Sequence, residues 1–191
     1  MRKYFFLIII FISLVFGLYL FKSRIFKPQD LLKKHLTAQV AINSYRVESS
    51  SSDRPQATTT EVQFKNNRFY LKTDQFVIVD NTAYYKNASG QWQLAVLPLD
   101  QASAYNRFRP EVIRQNYQNY QINSKFEGQG KDKCGQLNCH KYFQTDASSS
   151  ATRTFWFDNK EYLLRHDIFK LGEFTSENLY SYDNINIDIP L

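Results

Sequence analysis

Few residues here could do chemistry, and they are scattered. Cys134 and Cys139 are the only cysteines in the 191 residues. Gly135-Gln136-Leu137-Asn138 separates them, and Gly and Asn there mark a turn between strands. Thiols flanking such a turn come within disulfide reach. A disulfide would close a small loop, contributing about 2 kcal/mol by chain entropy. Two free cytoplasmic thiols are the alternative. A zinc site would need two more ligands, and only His140 is close, so neither a metal nor another cofactor is expected.

His166-Asp167 and Ser148-Ser149-Ser150 contain the residue types of a hydrolase triad. The Gly-x-Ser-x-Gly elbow that would expose a nucleophile is missing from the sequence. These side chains read as solvated strand and loop residues, and the protein as a non-enzyme. Asn87-Ala88-Ser89 fits a glycosylation acceptor, but with Gly90 it reads better as a hairpin turn.

The elements around these residues are β-rich. Thr152–Ile168 holds two aromatic, β-favouring runs on either side of Asp158-Asn159-Lys160-Glu161. Asp and Asn tolerate left-handed backbone and bond locally, which predicts a hairpin with a loop of two to four residues. From Tyr45 onward apolar residues recur at every second position, through Val47, Val62, Phe64, Phe69 and Leu71. The pattern returns at Tyr120, Ile122 and Phe126, and again at Ile185, Ile187 and Ile189. Such alternation means one covered and one wet sheet face. Gln75–Asp80 is more uniformly apolar, as in a strand covered on both faces. Further strands are expected at Thr82–Asn87, Gln91–Val96, Asn138–Thr145, Thr152–Asp158, Tyr162–Lys170 and Glu173–Tyr182. That makes about eleven in an antiparallel meander.

Two stretches interrupt the pattern. Ser49–Thr60 reads as a loop, mobile in its middle around Pro55. Leu97–Tyr117 reads as a helical insert, with Asp100 capping a first helix and Pro110 starting a second. Pro28–Ile42 has apolar residues at helical spacing, predicting an amphipathic helix packed on the sheet. A helix lying on a membrane surface is the alternative. A flat eleven-stranded sheet would outrun this helical cover. The expectation is therefore a strongly curved, half-open barrel (mainly β, α+β) wrapped round the helix and the insert.

The first 27 residues differ from the rest. Tyr4–Phe21 is 18 residues long and almost wholly apolar, close to the length of a membrane-crossing helix. An uncleaved anchor is expected, followed by a basic linker, Lys22–Lys27; a cleaved signal peptide and a buried helix are alternatives. The domain boundaries are thus 1–27 and 28–191. Residues 1–27 carry five of the 24 basic residues and no acidic one, leaving 19 basic against 18 acidic. A nearly neutral domain has no electrostatic footprint for nucleic acid. Counting Lys and Arg alone would place the domain in the cytoplasm, but large domains translocate regardless of nearby charge. The cysteine pair fits an oxidising, extracytoplasmic compartment better.

The order of elements over roughly Pro28–Leu191 resembles the bacterial lipoprotein carriers, the LolA-like, LolB-like and LppX-like proteins. Two signatures carry the resemblance. One is Phe155-Trp156-Phe157-Asp158-Asn159-Lys160 followed by Leu163-Leu164-Arg165; the other is Tyr182–Pro190, which looks like the family's closing strand. The resemblance implies a half-open barrel with a helical lid, whose apolar cavity takes acyl chains or lipidated molecules. The family's functional arginine has no clear match, since Arg46 and Arg68 are both near. The apolar wall would be Phe64, Phe69, Leu71, Tyr120, Ile122, Phe126, Phe155, Phe157, Leu164 and Ile168. The lid would present Tyr105, Phe108, Val112 and Ile113. The expected partners are the membrane and a lipid or lipidated protein. An envelope interaction or sensor module with a solid core is the competing reading.

Overall fold

The computed structural model describes residues 28–109, 111–113, 115–116, 124–146 and 149–190. Tyr4–Phe21, Lys22–Lys27, Pro110, Tyr120 and Ile122 lie outside these. Among the described residues no helix is long and apolar enough to cross a membrane. The chain divides into residues 1–33 and a β-rich unit, residues 34–191, which holds every strand and the cavity described below.

Helix α1 spans Pro28–Val40. The strands are β1 Ser44–Ser51, β2 Arg54–Lys65, β3 Arg68–Lys72, β4 Phe76–Val79, β5 Thr82–Lys86, β6 Trp92–Val96, β7 Ser124–Cys134, β8 Leu137–Asp146, β9 Thr152–Asp158, β10 Leu164–Leu171 and β11 Phe174–Ser181. Helix α2, Leu99–Asn106, lies between β6 and β7. The fold is mainly β, with one eleven-stranded antiparallel sheet. Its order is β6-β5-β4-β3-β2-β1-β11-β10-β9-β8-β7. The expected single meander is thus two meanders, β1–β6 and β7–β11, joined where the last strand pairs with the first.

The turns follow local chemistry. Asn66 and Asn67 both adopt positive φ (54° and 59°), as a two-residue type I′ hairpin requires. Asn87 accepts the N–H groups of Ser89 and Gln91 through its Oδ1, closing the turn with Gly90. Cys134 and Cys139 form a disulfide across the β7–β8 turn, with Cα atoms 6.0 Å apart.

Several expectations are corrected. Ser49–Thr60 is no loop: β1 and β2 pair from Ser44↔Gln63 up to Ser51↔Arg54, leaving only Ser52 and Asp53 between them. Threonine is β-branched, and its fit to a pleated strand outweighs the polarity that suggested a loop. Asp100 lies inside α2, which begins after Pro98. The β9–β10 connection runs over five residues, Asn159 to Leu163, with Tyr162 at φ 64°. Ile185–Ile189 pairs with no strand; instead Gln63 donates from Nε2 to the Ile185 carbonyl (2.7 Å) and accepts the Ile187 N–H (3.1 Å).

The sheet stays open and is not strongly curled. The reason lies in its covering. On one face Tyr45, Val47, Val62, Phe69, Leu71, Ile78 and Ala83 pack with Tyr105, Phe108 and Ile113 of the insert. On the opposite face Val77, Val79 and Tyr84 pack with Ile185 and Ile187 of the tail. Apolar surface covered from both sides leaves less reason for the sheet to close on itself.

Candidate functional site

The strands β1, β2, β9, β10 and β11 share an inner face with the insert, and a cavity of about 570 Å³ lies between them. Alternation explains its walls: Tyr45, Val47, Ser49 and Ser51 of β1 and Arg54, Gln56 and Thr58 of β2 face it. Its apolar part includes Tyr45, Val47, Phe155, Leu164, Phe108 and Ile113, with Phe169 and Phe174 also in the lining. A volume of this size suits a small molecule or one acyl chain.

The insert is tied to the sheet at this cavity. Tyr45 donates from its hydroxyl to the Phe108 carbonyl at 2.6 Å, and Phe76 meets Tyr105 edge to face at 5.8 Å. Next to Tyr45, with ring centroids 6.4 Å apart, Tyr182 donates to the Leu164 carbonyl at 2.6 Å. Burial pushes both phenols well above their ordinary range, so they remain neutral donors.

The polar part is asymmetric. Arg54, Arg107, Arg153 and Asp167 are the charged residues lining the cavity. Asp167 is buried. It accepts from Asn178 Nδ2 at 2.9 Å and Tyr180 Oη at 3.2 Å, with Arg153 Nε 4.0 Å away. Burial pushes its carboxyl pKa up, against the opposing pull of Arg153, Asn178 and Tyr180. The Arg153 guanidinium lies over the rings of Phe155 and Phe169, at 5.9 and 5.1 Å.

No protein-family model and no curated protein matches this sequence. Solved structures do. LprF from Mycobacterium bovis superposes with a TM-score of 0.61 at 13% identity, over 85% of this chain and 96% of that one. The Mycobacterium tuberculosis lipoprotein LppX gives 0.57 at 14%, over 85% and 100%. The chain has the LppX-like fold. The resemblance carried by Phe155–Arg165 and Tyr182–Pro190 therefore holds at the level of the fold.

In this LppX-like sheet the expected apolar wall separates into two places. Phe155 and Leu164 line the cavity, as do Phe108 and Ile113 of the insert. Phe69 and Leu71 are buried in the packed core over β2–β5, with Phe64 and Tyr105 against it. Phe126 stacks on Phe155 at 5.7 Å, and Phe157 is fully buried against His35. Val112 is half-buried.

Ile168 does not line the cavity, because the β9–β10 ladder shifts register between Leu164 and His166. The extra residue flips the pattern beyond it, so Asp167 and Phe169 face inward. His166 stacks on Trp156 at 4.3 Å and contacts Glu177 through Nε2 at 2.7 Å, and neither ring lines the cavity. His166 and Asp167 therefore serve different faces, and Ser149 donates to Asp146 instead. Among the described residues no three metal-ligating side chains converge. Arg46 pairs with Glu61 at 2.7 Å and Arg68 with Asp80 at 3.1 Å, so neither reaches the cavity.

Sequence reasoning missed the apolar lining residues Tyr45, Val47, Phe169 and Phe174 and the polar ones Arg54, Thr58, Arg153, Asn178 and Tyr180. The signal for the polar ones was present in the alternation of β2, β9 and β11. A search for greasy positions alone passes over it.

Proposed function

We propose that this protein is a non-enzymatic, envelope-localised binding domain that holds the apolar chain of a lipid or lipoprotein. In this reading residues 1–27 form its membrane anchor and linker, and residues 28–191 the extracytoplasmic binding domain. One observation carries the reading: the cavity beneath the insert, apolar at Tyr45, Val47, Phe155 and Leu164 and roofed by Phe108 and Ile113. The LppX-like fold supports it, since LppX, which shares that fold, is itself a lipoprotein. Capture would be at equilibrium, with about 0.8 kcal/mol gained per methylene removed from water. The insert, held by the Tyr45–Phe108 hydrogen bond, would open and close over the bound chain. Titration of the full chain in nanodiscs with a fluorescent fatty acid tests the reading. Saturable binding at one site per chain is expected; purely linear partition would discard it.

A second reading rests on β6. Trp92, Leu94 and Val96 are exposed on this edge strand, at 36%, 60% and 70%. An apolar edge with free backbone groups is a template for strand addition by a protein partner. A pull-down that depends on β6, with no lipid bound, would favour an interaction module.

A further inference from the structure

We propose that the cavity selects an amphiphile with an anionic head, a carboxylate or phosphate monoester. This inference rests on the lipid-binding reading and adds the chemistry of the head. Three guanidinium groups line the cavity against one carboxylate. The carboxylate is already engaged, because Asp167 is buried and held by Asn178, Tyr180 and Arg153. Arg54 and Arg107 form no ion pair among the described residues. The acid beside Arg54, Asp53, accepts from Ser51 Oγ, and Arg107 lies over the Phe108 ring at 4.9 Å.

Asp53 acts electrostatically on Arg54 without lining the cavity, so the wall itself keeps a net positive charge, three guanidinium groups against one carboxylate, with Arg54 and Arg107 supplying the excess. Both residues are exposed, so they stand where the cavity meets water. A cleft with low-dielectric walls focuses such charge and concentrates anions. Guanidinium forks match carboxylate and phosphate oxygens geometrically, which a neutral hydroxyl cannot exploit. The apolar residues beneath take the chain while Arg54 or Arg107, both in the lining, holds the head. A cationic amphiphile is disfavoured by the same two groups.

The test uses the full chain in nanodiscs and two photoactivatable probes of equal length, a diazirine hexadecanoate and a diazirine hexadecanol. Labelled residues are mapped by mass spectrometry, and unlabelled hexadecanoate and hexadecyl phosphate are added as competitors. Hexadecanoate should label Phe155, Leu164 and Phe108 on the order of tenfold more strongly than hexadecanol. That advantage should collapse in Arg54→Gln/Arg107→Gln, which replaces two exposed side chains and leaves the core intact. The stronger competitor then identifies the head as carboxylate or phosphate. Equal labelling by both probes, or an advantage unchanged in the variant, overturns the head-group proposal and leaves lipid binding standing. Cavity residues labelled by neither probe overturn both.

Discussion

His35 lies flat against Phe157, with ring centroids 4.4 Å apart and 23° between the planes. Its Nδ1 is 3.0 Å from the Tyr162 carbonyl. A carbonyl only accepts, so Nδ1 carries a proton, and burial keeps the ring neutral above about pH 4. The Nε2 lone pair is buried with no hydrogen-bond partner. Burial lowers the pKa from 6.5 to about 4; the Tyr162 bond opposes this, and the nearby His140 adds to it.

The pH consequence follows from linkage. Unfolded His35 takes up a proton near pH 6.5, whereas folded His35 takes one up only near pH 4. The unfolded state thus binds more protons between those values, and stability falls as pH falls through that window. The loss is about 3 kcal/mol by pH 4. Urea denaturation of the full chain in detergent, from pH 7 to pH 4.5, should show it. His35→Phe keeps the stacked ring and should flatten the slope.

Asp158 should be the most costly single polar residue of the hairpin. It is buried and accepts N–H groups from Lys160, Glu161, Tyr162 and Leu163 as well as Arg165 Nε at 2.9 Å. Burial alone would raise its pKa, but the Glu161 N–H and the Arg165 guanidinium hold it below the usual range. Asp158→Ala strands several N–H groups and leaves the half-buried Arg165 guanidinium with Glu161 as its remaining carboxylate, and should cost about 3 kcal/mol in chemical denaturation.

The Tyr45 hydroxyl should control access to the cavity. Tyr45→Phe removes the bond to the Phe108 carbonyl while preserving the ring, costing about 1 kcal/mol. Stopped-flow exchange of a fluorescent fatty acid should become faster in both directions. Unchanged exchange rates would mean that the insert does not gate the cavity.

The Cys134–Cys139 bond reports on compartment. In intact cells an impermeant maleimide should label the full chain only after an impermeant reductant is added. Labelling without reductant would place free thiols on the outside, and labelling only after lysis would place the domain inside.

Much of the fold was legible because the inner face is written in alternation. Val62 and Phe64 fall two residues apart, as do Phe69 and Leu71, in strands one would draw from sequence, and Val62, Phe69 and Leu71 are buried. What stayed hidden depends on partners far along the chain. The β1–β11 pairing joins Arg46 to Ser181, and no local pattern announces it. The register shift after Leu164 turned Asp167 inward and Ile168 away from the cavity, although the hydrophobic pattern argues for the reverse. The tail residues Ile185 and Ile187 read as a strand, yet they pack on the sheet as an unpaired segment satisfied by Gln63. The cavity was half-legible for a similar reason. Its greasy wall includes Phe155 and Leu164, but its polar lining comes from strands that look solvent-facing in isolation.

Native mass spectrometry of the full chain released from nanodiscs decides whether the cavity holds a lipid. One bound amphiphile per chain is expected, reduced in a Thr58→Trp variant whose new ring projects into the cavity. A bare chain for both proteins, at every lipid concentration tried, would contradict it.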